Sequence, residues 1–345
     1  MTIRKLGMAS AFTLSTLLAL RALKRQQRWF SYYGKVVLIT GGSRGLGLEI
    51  ARIVASMGAK VAICARTDAD LQRARAELEE LARDVMTIRC DVSYQTDVNE
   101  MVKSVVQAWG KLDVLFNVAG IIEVGPLEAM TQDDFKRAMD THFWGPLNTM
   151  LAAIPHMRAK GWGRILNVSS MGGKRAVPHM IPYDASKFAL VGLSQGMRTE
   201  LVKDGIYVTT ACPSLMRTGS PRNASFKAQH RKEYAWFSVS DSLPLLSMNS
   251  KRAAELMVNA TQYGDADLLL PSTSRIALAF SDLFPNLTAD VMYALNALLP
   301  RMGGIGTSSA FGYESESKIS ESMLTRLGRQ AALRNNEVNP DSFSL

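Results

Sequence analysis

Cysteine is scarce in this chain: three residues in 345, at Cys64, Cys90 and Cys212, far apart from one another. That excludes a disulfide-built scaffold. Each sits in or beside an apolar run, so they read as small buried hydrophobes of a protein from a reducing compartment. The four histidines, His142, His156, His179 and His230, form neither an HExxH pattern nor a pairing with CxxC, and no metal site is expected. Low-complexity tracts and internal repeats are missing as well, which excludes fibrous and solenoid architectures. With 47% hydrophobic and 21% charged residues, the chain can bury one large core.

Acidic residues are absent from residues 1–33, which carry Arg4, Lys5, Arg21, Lys24, Arg25 and Arg28. The net charge of +9 therefore belongs mostly to this leader, leaving +3 for the body. Without a basic, aromatic-interleaved stripe in the body, a nucleic-acid partner is not expected. Between Lys5 and Arg21 lies the uncharged stretch Leu6 to Leu20. As a helix it would span ~22 Å, short of the ~30 Å hydrocarbon core unless the flanking Lys and Arg snorkel. No small-x-small cleavage site follows it, so residues 1–33 read as a leader that anchors the chain at a membrane surface through residues 1–30. The alternatives are an ordinary helix packed on the domain and a soluble cytoplasmic protein. Four basic residues follow the apolar stretch against two before it, which leaves the body on the cytoplasmic side.

From Lys35 onward, short apolar runs alternate with longer segments of helical period. The runs are Val36 to Thr40, Val61 to Ala65, Val85 to Arg89, Leu112 to Val118, Arg164 to Ser169, Ile206 to Cys212 and Asp267 to Leu270. Such near-continuous hydrophobic strands belong to a sheet covered on both faces. The pattern predicts an α/β fold: a doubly wound parallel seven-stranded sheet (Rossmann fold) with helices on both faces, over residues 34–271. Residues 272–302 read as an apolar helical extension that packs on the core or forms a lid. Residues 303–345 read as a polar tail, partly disordered, with a helix around Lys318 to Leu333.

After the first strand comes Thr40-Gly-Gly-Ser-Arg-Gly-Leu-Gly47, then a helical pattern. Here Gly41, Gly45 and Gly47 would let the backbone turn tightly, and the N–H groups around Ser43, Arg44 and Leu46 could face a diphosphate at the helix N-terminus. The second strand ends in Ala65-Arg66, where an acid that would hold the adenosine ribose is missing. Arg66 and Arg44 can instead pair with a 2′-phosphate, so NADP(H) is the expected cofactor.

Tyr183 and Lys187 stand one helical turn apart within Pro182 to Val202, and Ser170 ends a preceding strand. A lysine ammonium ~4 Å from a phenol stabilises the phenolate by on the order of 4 kcal/mol at an effective dielectric of about 20. That is close to what a phenol needs to serve as an acid or base near neutrality. Ser170 can hydrogen-bond the substrate oxygen and fix it for hydride transfer.

Taken together, Thr40-Gly-Gly-Ser-Arg-Gly45-Leu-Gly47, Asn117-Val-Ala-Gly120, Ser170 and Tyr183-Asp-Ala-Ser-Lys187 resemble the short-chain dehydrogenase/reductase family over about residues 34 to 270. The resemblance implies an oxidoreductase acting on a small alcohol or carbonyl substrate. By it, Asp91 and Val92 contact adenine, Asn117, Ala119 and Gly120 stabilise the sheet and border the cofactor, and Pro213 and Thr218 bracket the nicotinamide carboxamide. Lys187 holds the nicotinamide ribose besides tuning Tyr183. A homodimer or homotetramer through helices around Phe135 to Met157 and Tyr183 to Val202 is implied likewise.

Three positions depart from the family pattern: Val118, Ser214, and His142 where an asparagine commonly serves a water-mediated proton relay. An imidazole both donates and accepts, so His142 is expected either as an altered relay member or as a residue packed in the helix interface. The leader and the apolar segments after Pro271 point to an apolar or lipid-like substrate. Arg217, Arg222, Phe226, Tyr234 and Trp236, in the stretch Leu215 to Trp236, either line its pocket or pack on the surface. Two rival readings remain: an NADP(H)-sensing regulator that catalyses nothing, against which Ser170, Tyr183 and Lys187 speak, and a sugar epimerase, against which the glycine spacing speaks.

Overall fold

Seven strands form one parallel sheet: β1 (Val36–Thr40), β2 (Lys60–Ala65), β3 (Val85–Arg89), β4 (Val114–Asn117), β5 (Gly163–Val168), β6 (Ile206–Pro213) and β7 (Asp267–Leu270), in the order β7-β6-β5-β4-β1-β2-β3. The computed structural model describes Thr16 and residues 19–244 and 246–338. Alternate residues of each strand feed opposite layers, as the period of a strand requires. Val37 and Ile39 join a core with helices α1 (Gly45–Ser56), α2 (Asp68–Glu79) and α8 (Ser250–Gln262). Val36 and Leu38 join the opposite core with α3 (Gln95–Trp109) and α5 (Gly145–Ala159).

The strand order reverses between β1 and β4, which pair in register at Thr40 and Asn117. Connections leave these two strands toward opposite faces, so their carboxyl ends are left uncovered. That opening is where open α/β sheets bind ligands.

Before β4's partner layer, α4 (Gln132–Met139) runs through a single π turn, Asp140–Trp144, into α5. Two further helices flank the groove side, α6 (Ile181–Leu201) and α7 (His230–Ser242). A small three-stranded sheet sits at the groove's far side: Ser225–Lys227 pairs parallel with Glu123–Val124 and antiparallel with Ser309–Phe311. Lys227, buried, fastens it by an ion pair with the equally buried Asp134 of α4.

Three segments differ from the sequence reading. Phe30 and Tyr32 pack into the first core, and Arg25 makes a two-pronged ion pair with Asp265 at 2.7 and 2.8 Å. The domain thus begins inside the leader rather than at residue 34. Most of Leu6–Leu20 lies outside the described residues. Among those described, no helix is long and apolar enough to cross a membrane.

Second, the apolar stretches after Pro271 form α9 (Ser274–Leu283) and α10 (Pro285–Leu298), yet Ser281 and Thr288 are their only buried residues. Ile276, Leu283, Tyr293 and Leu298 face outward; only Leu278 packs against a small core cluster, with Val191, Cys212 and Leu269, and neither helix contributes to the groove wall. The helices pack on each other, with the Phe280 and Phe284 rings 5.1 Å apart, and much of their apolar surface stays exposed.

Third, the polar tail is folded through Val338. It carries α11 (Arg326–Arg334), shorter than the helix expected over Lys318 to Leu333, and docks on the main domain.

Phe116 sits in the middle of β4 with no exposed surface and lies in the first core. Phe116→Ala is expected to cost about 3–5 kcal/mol of stability through lost burial and the cavity left behind. The midpoint of urea unfolding checks this; a shift worth less than about 1 kcal/mol would mean that the core layers are assigned wrongly.

Candidate active site

The glycine loop leaves β1 with a turn that only glycine fits. At Gly41, φ is +65° and a Cβ would lie 2.8 Å from Ala119 Cα; at Gly47 it would lie 2.1 Å from the Gly41 carbonyl oxygen. Helix α1 is thereby pressed against the end of β1, with its first-turn N–H groups directed at the opening. Thr40 Oγ1 accepts hydrogen bonds from Val118 and Ala119 N–H at 3.1 and 3.2 Å, tying this loop to the end of β4.

From here a groove of about 1160 Å³ runs along the carboxyl ends of the strands. That exceeds the roughly 300–1,000 Å³ typical of a small-ligand pocket and suits an extended ligand. Every site residue expected from the sequence lines it, except Asn117. Asn117 is buried beneath, its amide donating to Asn167 Oδ1 at 2.8 Å and its Oδ1 accepting from Thr149 at 2.7 Å. It braces β4 against β5 and α5. Asp91 uses one oxygen on Ser93, and the backbone carbonyl of the neighbouring Val92 accepts from Asn148 at 3.2 Å.

Beyond Ala65 the two arginines flank the end of β2, each loosely faced by carboxylates. Arg44 is 3.8 Å from Asp70 and 3.5 Å from Glu337; Arg66 is 4.0 Å from Asp91. Their side chains are 38% and 61% exposed, so the partners can be exchanged for a ligand's phosphate.

Ser170, Tyr183 and Lys187 meet at the end of β5. Lys187 Nζ donates to the Val168 carbonyl at 2.9 Å, and Ser169 Oγ donates to the Lys187 carbonyl at 2.9 Å. These two bonds fix α6 on the strand. Ser170 Oγ accepts from Gly172 N–H at 3.0 Å and bonds the Tyr183 phenol. Lys187 Nζ lies 5.5 Å from the centre of the Tyr183 ring.

The electrostatics run against the expected tuning. Burial pushes the Tyr183 phenol up to about 12, partly offset by Ser170, while the neighbouring Asp184 carboxylate pushes it further up. Burial likewise pushes Lys187 down to about 7. In the protein alone, desolvation dominates both groups.

His142, in the π turn, is buried edge-on to Tyr183 with ring centres 5.3 Å apart. Its Nε2 accepts from Ile121 N–H at 3.1 Å, so Nδ1 carries the proton and donates to Ser186 Oγ at 2.8 Å. Ser186 in turn donates to the Tyr183 carbonyl at 2.7 Å. Burial, and then the Lys187 charge, hold the imidazole neutral by pushing it well below its usual range.

Of the five residues considered for a substrate pocket, Trp236 lines the groove. Phe226 and Tyr234 are packed in a small core with Val124 and Phe237, and Arg217 donates to the Ser247 carbonyl at 2.5 Å. Sequence reasoning missed Ser186, the buried partner of His142, and several groove residues. Ser186 sits within the Tyr183–Lys187 turn, where its spacing of three from Tyr183 was a usable signal. Phe311 and Tyr313, whose rings stack 5.3 Å apart, and Glu337 come from the tail and carried none.

Residues 35–229 match the family model described as short chain dehydrogenase. An "Uncharacterized oxidoreductase YxnA" of Bacillus subtilis (strain 168) is 31% identical over 272 residues, 79% of this chain and 75% of that protein. An "11-beta-hydroxysteroid dehydrogenase-like 4A" of Arabidopsis thaliana is 32% identical over 74% of this chain and 82% of its own length. Among solved structures, a short chain dehydrogenase/reductase from Burkholderia phymatum in complex with NAD is similar with a TM-score of 0.69. It is 22% identical, and the match covers 75% of this chain and 96% of that one, a likeness of fold. With its sheet order, its glycine loop and the meeting of Ser170, Tyr183 and Lys187, the chain belongs to the short-chain dehydrogenase/reductase family of oxidoreductases.

Proposed function

We propose that this protein is an NADP(H)-dependent reductase that delivers a hydride to the carbonyl carbon of an apolar, lipid-like substrate, with Tyr183 giving the proton. The observation that carries this reading is the convergence of Ser170, Tyr183 and Lys187 on the groove that the glycine loop opens. The nicotinamide supplies the hydride when bound. The rest is done by the chain. Burial keeps the Tyr183 phenol protonated up to about pH 12, which is the form that can donate to a developing alkoxide. Ser170, with Gly172 N–H on its oxygen, keeps its own proton to donate to the substrate oxygen. Lys187, anchored on the Val168 carbonyl, is suited to hold the nicotinamide ribose.

The residues fit the dinucleotide at both ends. Asp91 and Val92, which the family resemblance assigns to adenine, and Pro213 and Thr218, which it assigns to the nicotinamide, all line the groove. Preference for NADP(H) rests on Ala65, which leaves no carboxylate at the end of β2, and on the exchangeable Arg44 and Arg66. An apolar substrate is supported by Met180, Trp236, Leu246, Phe311 and Tyr313 around the site, and by the steroid dehydrogenase-like relative.

For His142 two roles compete. A relay role would require Nε2 to exchange the Ile121 N–H for a water; a positioning role, holding the turn that carries Tyr183 through Ser186, needs no exchange. Homo-oligomer formation is proposed through α5 and α6, on which Trp144 of the π turn, Leu151 and Phe188 are exposed. Location at the cytoplasmic face of a membrane is supported by the basic, apolar leader and the outward apolar faces of α9 and α10.

Purified protein supplied with NADPH and a panel of apolar ketones and aldehydes should oxidise NADPH, and Tyr183→Phe should lower that rate by at least about 10²-fold. Unchanged turnover in Tyr183→Phe would end the catalytic assignment. In the same assay, His142→Asn with both turnover and pH profile unchanged removes His142 from the relay, and a shifted profile supports it.

Arg44→Ala and Arg66→Ala should each weaken NADPH binding about 10- to 100-fold, the worth of a charge-assisted hydrogen bond of roughly 1.5–3 kcal/mol, with NADH binding nearly constant. Equal losses for both cofactors would argue against a 2′-phosphate site.

Full-length protein should float with lipid vesicles and lose that ability when residues 1–18 are removed, a cut that spares Arg25 and Phe30, while light scattering reports a dimer or tetramer for the truncated chain. A full-length chain that stays wholly soluble contradicts the membrane location, and a monomer contradicts the pairing.

A further inference from the structure

The stretch of chain following α11 runs across the middle of the groove. Arg334 is tied to α1, its carbonyl accepting from Arg52 at 2.7 Å. The Asn335 carbonyl then accepts from Gly45 N–H at 2.8 Å, taking a donor at the very start of α1. Asn336 adopts a left-handed φ of +56°, donates to the Ser43 carbonyl at 2.8 Å and accepts from Arg73 at 2.6 Å.

Glu337 completes the crossing. Asn223, on the opposite wall beyond β6, donates to its carboxylate at 2.7 Å, and Arg44 faces it at 3.5 Å. The Asn335 amide also reaches that wall, donating to the Thr218 carbonyl at 3.1 Å. A Cβ built on Gly45 would lie 2.6 Å from Glu337 Oε1. The space that a glycine leaves open in front of a helix N-terminus is therefore filled by a carboxylate of the same chain, 7% exposed.

We infer that Asn335–Glu337 is a built-in occupant of the diphosphate subsite, which has to leave before a dinucleotide can seat, with Glu337 setting the affinity for it. The inference rests on the dinucleotide reading above. Its chemistry is competition between like groups: a carboxylate and a diphosphate both seek the start of α1 and repel each other when both are present. Glu337 is itself one of the residues that line the groove. Burial pushes the Glu337 carboxyl up, as an anion kept from water without a full counter-charge should be.

The test compares NADPH and NADH binding, by nicotinamide fluorescence titration, in the full chain, in Glu337→Gln and in a chain ending at Arg334. Backbone deuterium uptake of residues 334–338 is measured with and without saturating NADPH. Glu337→Gln keeps the side chain's shape and its bond to Asn223, so it guards against a truncated chain that fails to fold. Glu337→Gln is expected to bind NADPH about tenfold more tightly, equivalent to about 1.4 kcal/mol, and uptake at 334–338 is expected to rise when NADPH is added. An affinity that is unchanged or weaker in Glu337→Gln, or uptake that falls with NADPH, overturns the inference and makes the segment a cover over a seated cofactor or an inert brace. If NADPH and NADH bind to none of the three proteins, the dinucleotide reading itself falls, and this inference with it.

Discussion

Two hydrogen bonds hold the reaction centre together: Lys187 Nζ to the Val168 carbonyl, and Ser169 Oγ to the Lys187 carbonyl. Between them they clasp α6 to the last residues of β5 from both the side chain and the backbone of one lysine. The clasp is tight enough that a Cβ on Gly173 would lie 2.5 Å from Ser169 Oγ and 2.6 Å from the Lys187 carbonyl oxygen. Because the turn after Ser170 must pass through that gap, Ser170 and Tyr183 are brought to one point rather than left on separate elements. A lysine that only supplied charge could tolerate a looser seat. One that is also a structural peg ties the electrostatics of the site to the packing of the sheet.

The groove is unusually rich in buried ionisable groups that are incompletely paired. Asp184 and Asp241 are both pushed up to about 8 by burial, and each has one carboxylate oxygen without a hydrogen-bond partner. Asp184 directly follows Tyr183 and fixes the catalytic loop by accepting from Val177 N–H at 2.8 Å. Its ionised form opposes ionisation of the phenol, which works in the same direction as burial. The site in the bare protein therefore favours a protonated tyrosine and a lysine near the edge of its charged range. In that state the phenol carries the proton that a donor would need.

Much of this was legible in the sequence, and for identifiable reasons. Strands β1 to β7 are runs of apolar residues covered on both faces, and their period and spacing survive without tertiary context. The glycine loop and the Tyr183–Lys187 turn are local motifs whose geometry is set within a few residues. What was hidden depends on contacts across the chain. The Asn335–Gly45 bond joins segments 290 residues apart, and nothing in a polar tail marks its carbonyl as a partner for a helix start. The orientation of α9 and α10 was hidden for a related reason. An apolar helix looks the same in sequence whether its partner is this chain's core or something outside it; here Leu278 meets a core cluster while Ile276 and Leu298 stay exposed.

Crossing of the glycine loop by the tail also resolves a requirement that any such loop faces. A helix N-terminus placed beside a closed groove presents N–H donors that must be satisfied when no ligand is bound, and leaving one buried without a partner costs about 1–3 kcal/mol. Here the Asn335 carbonyl meets Gly45 N–H, and the Asn336 amide meets the Ser43 carbonyl, so both polar groups of the loop are paired in the resting protein. Seating a diphosphate is then an exchange of one set of hydrogen bonds for another. The glycine contacts that define the loop, Gly41 on Ala119 and Gly47 on the Gly41 carbonyl, involve no residue of the tail, so its shape does not depend on the crossing.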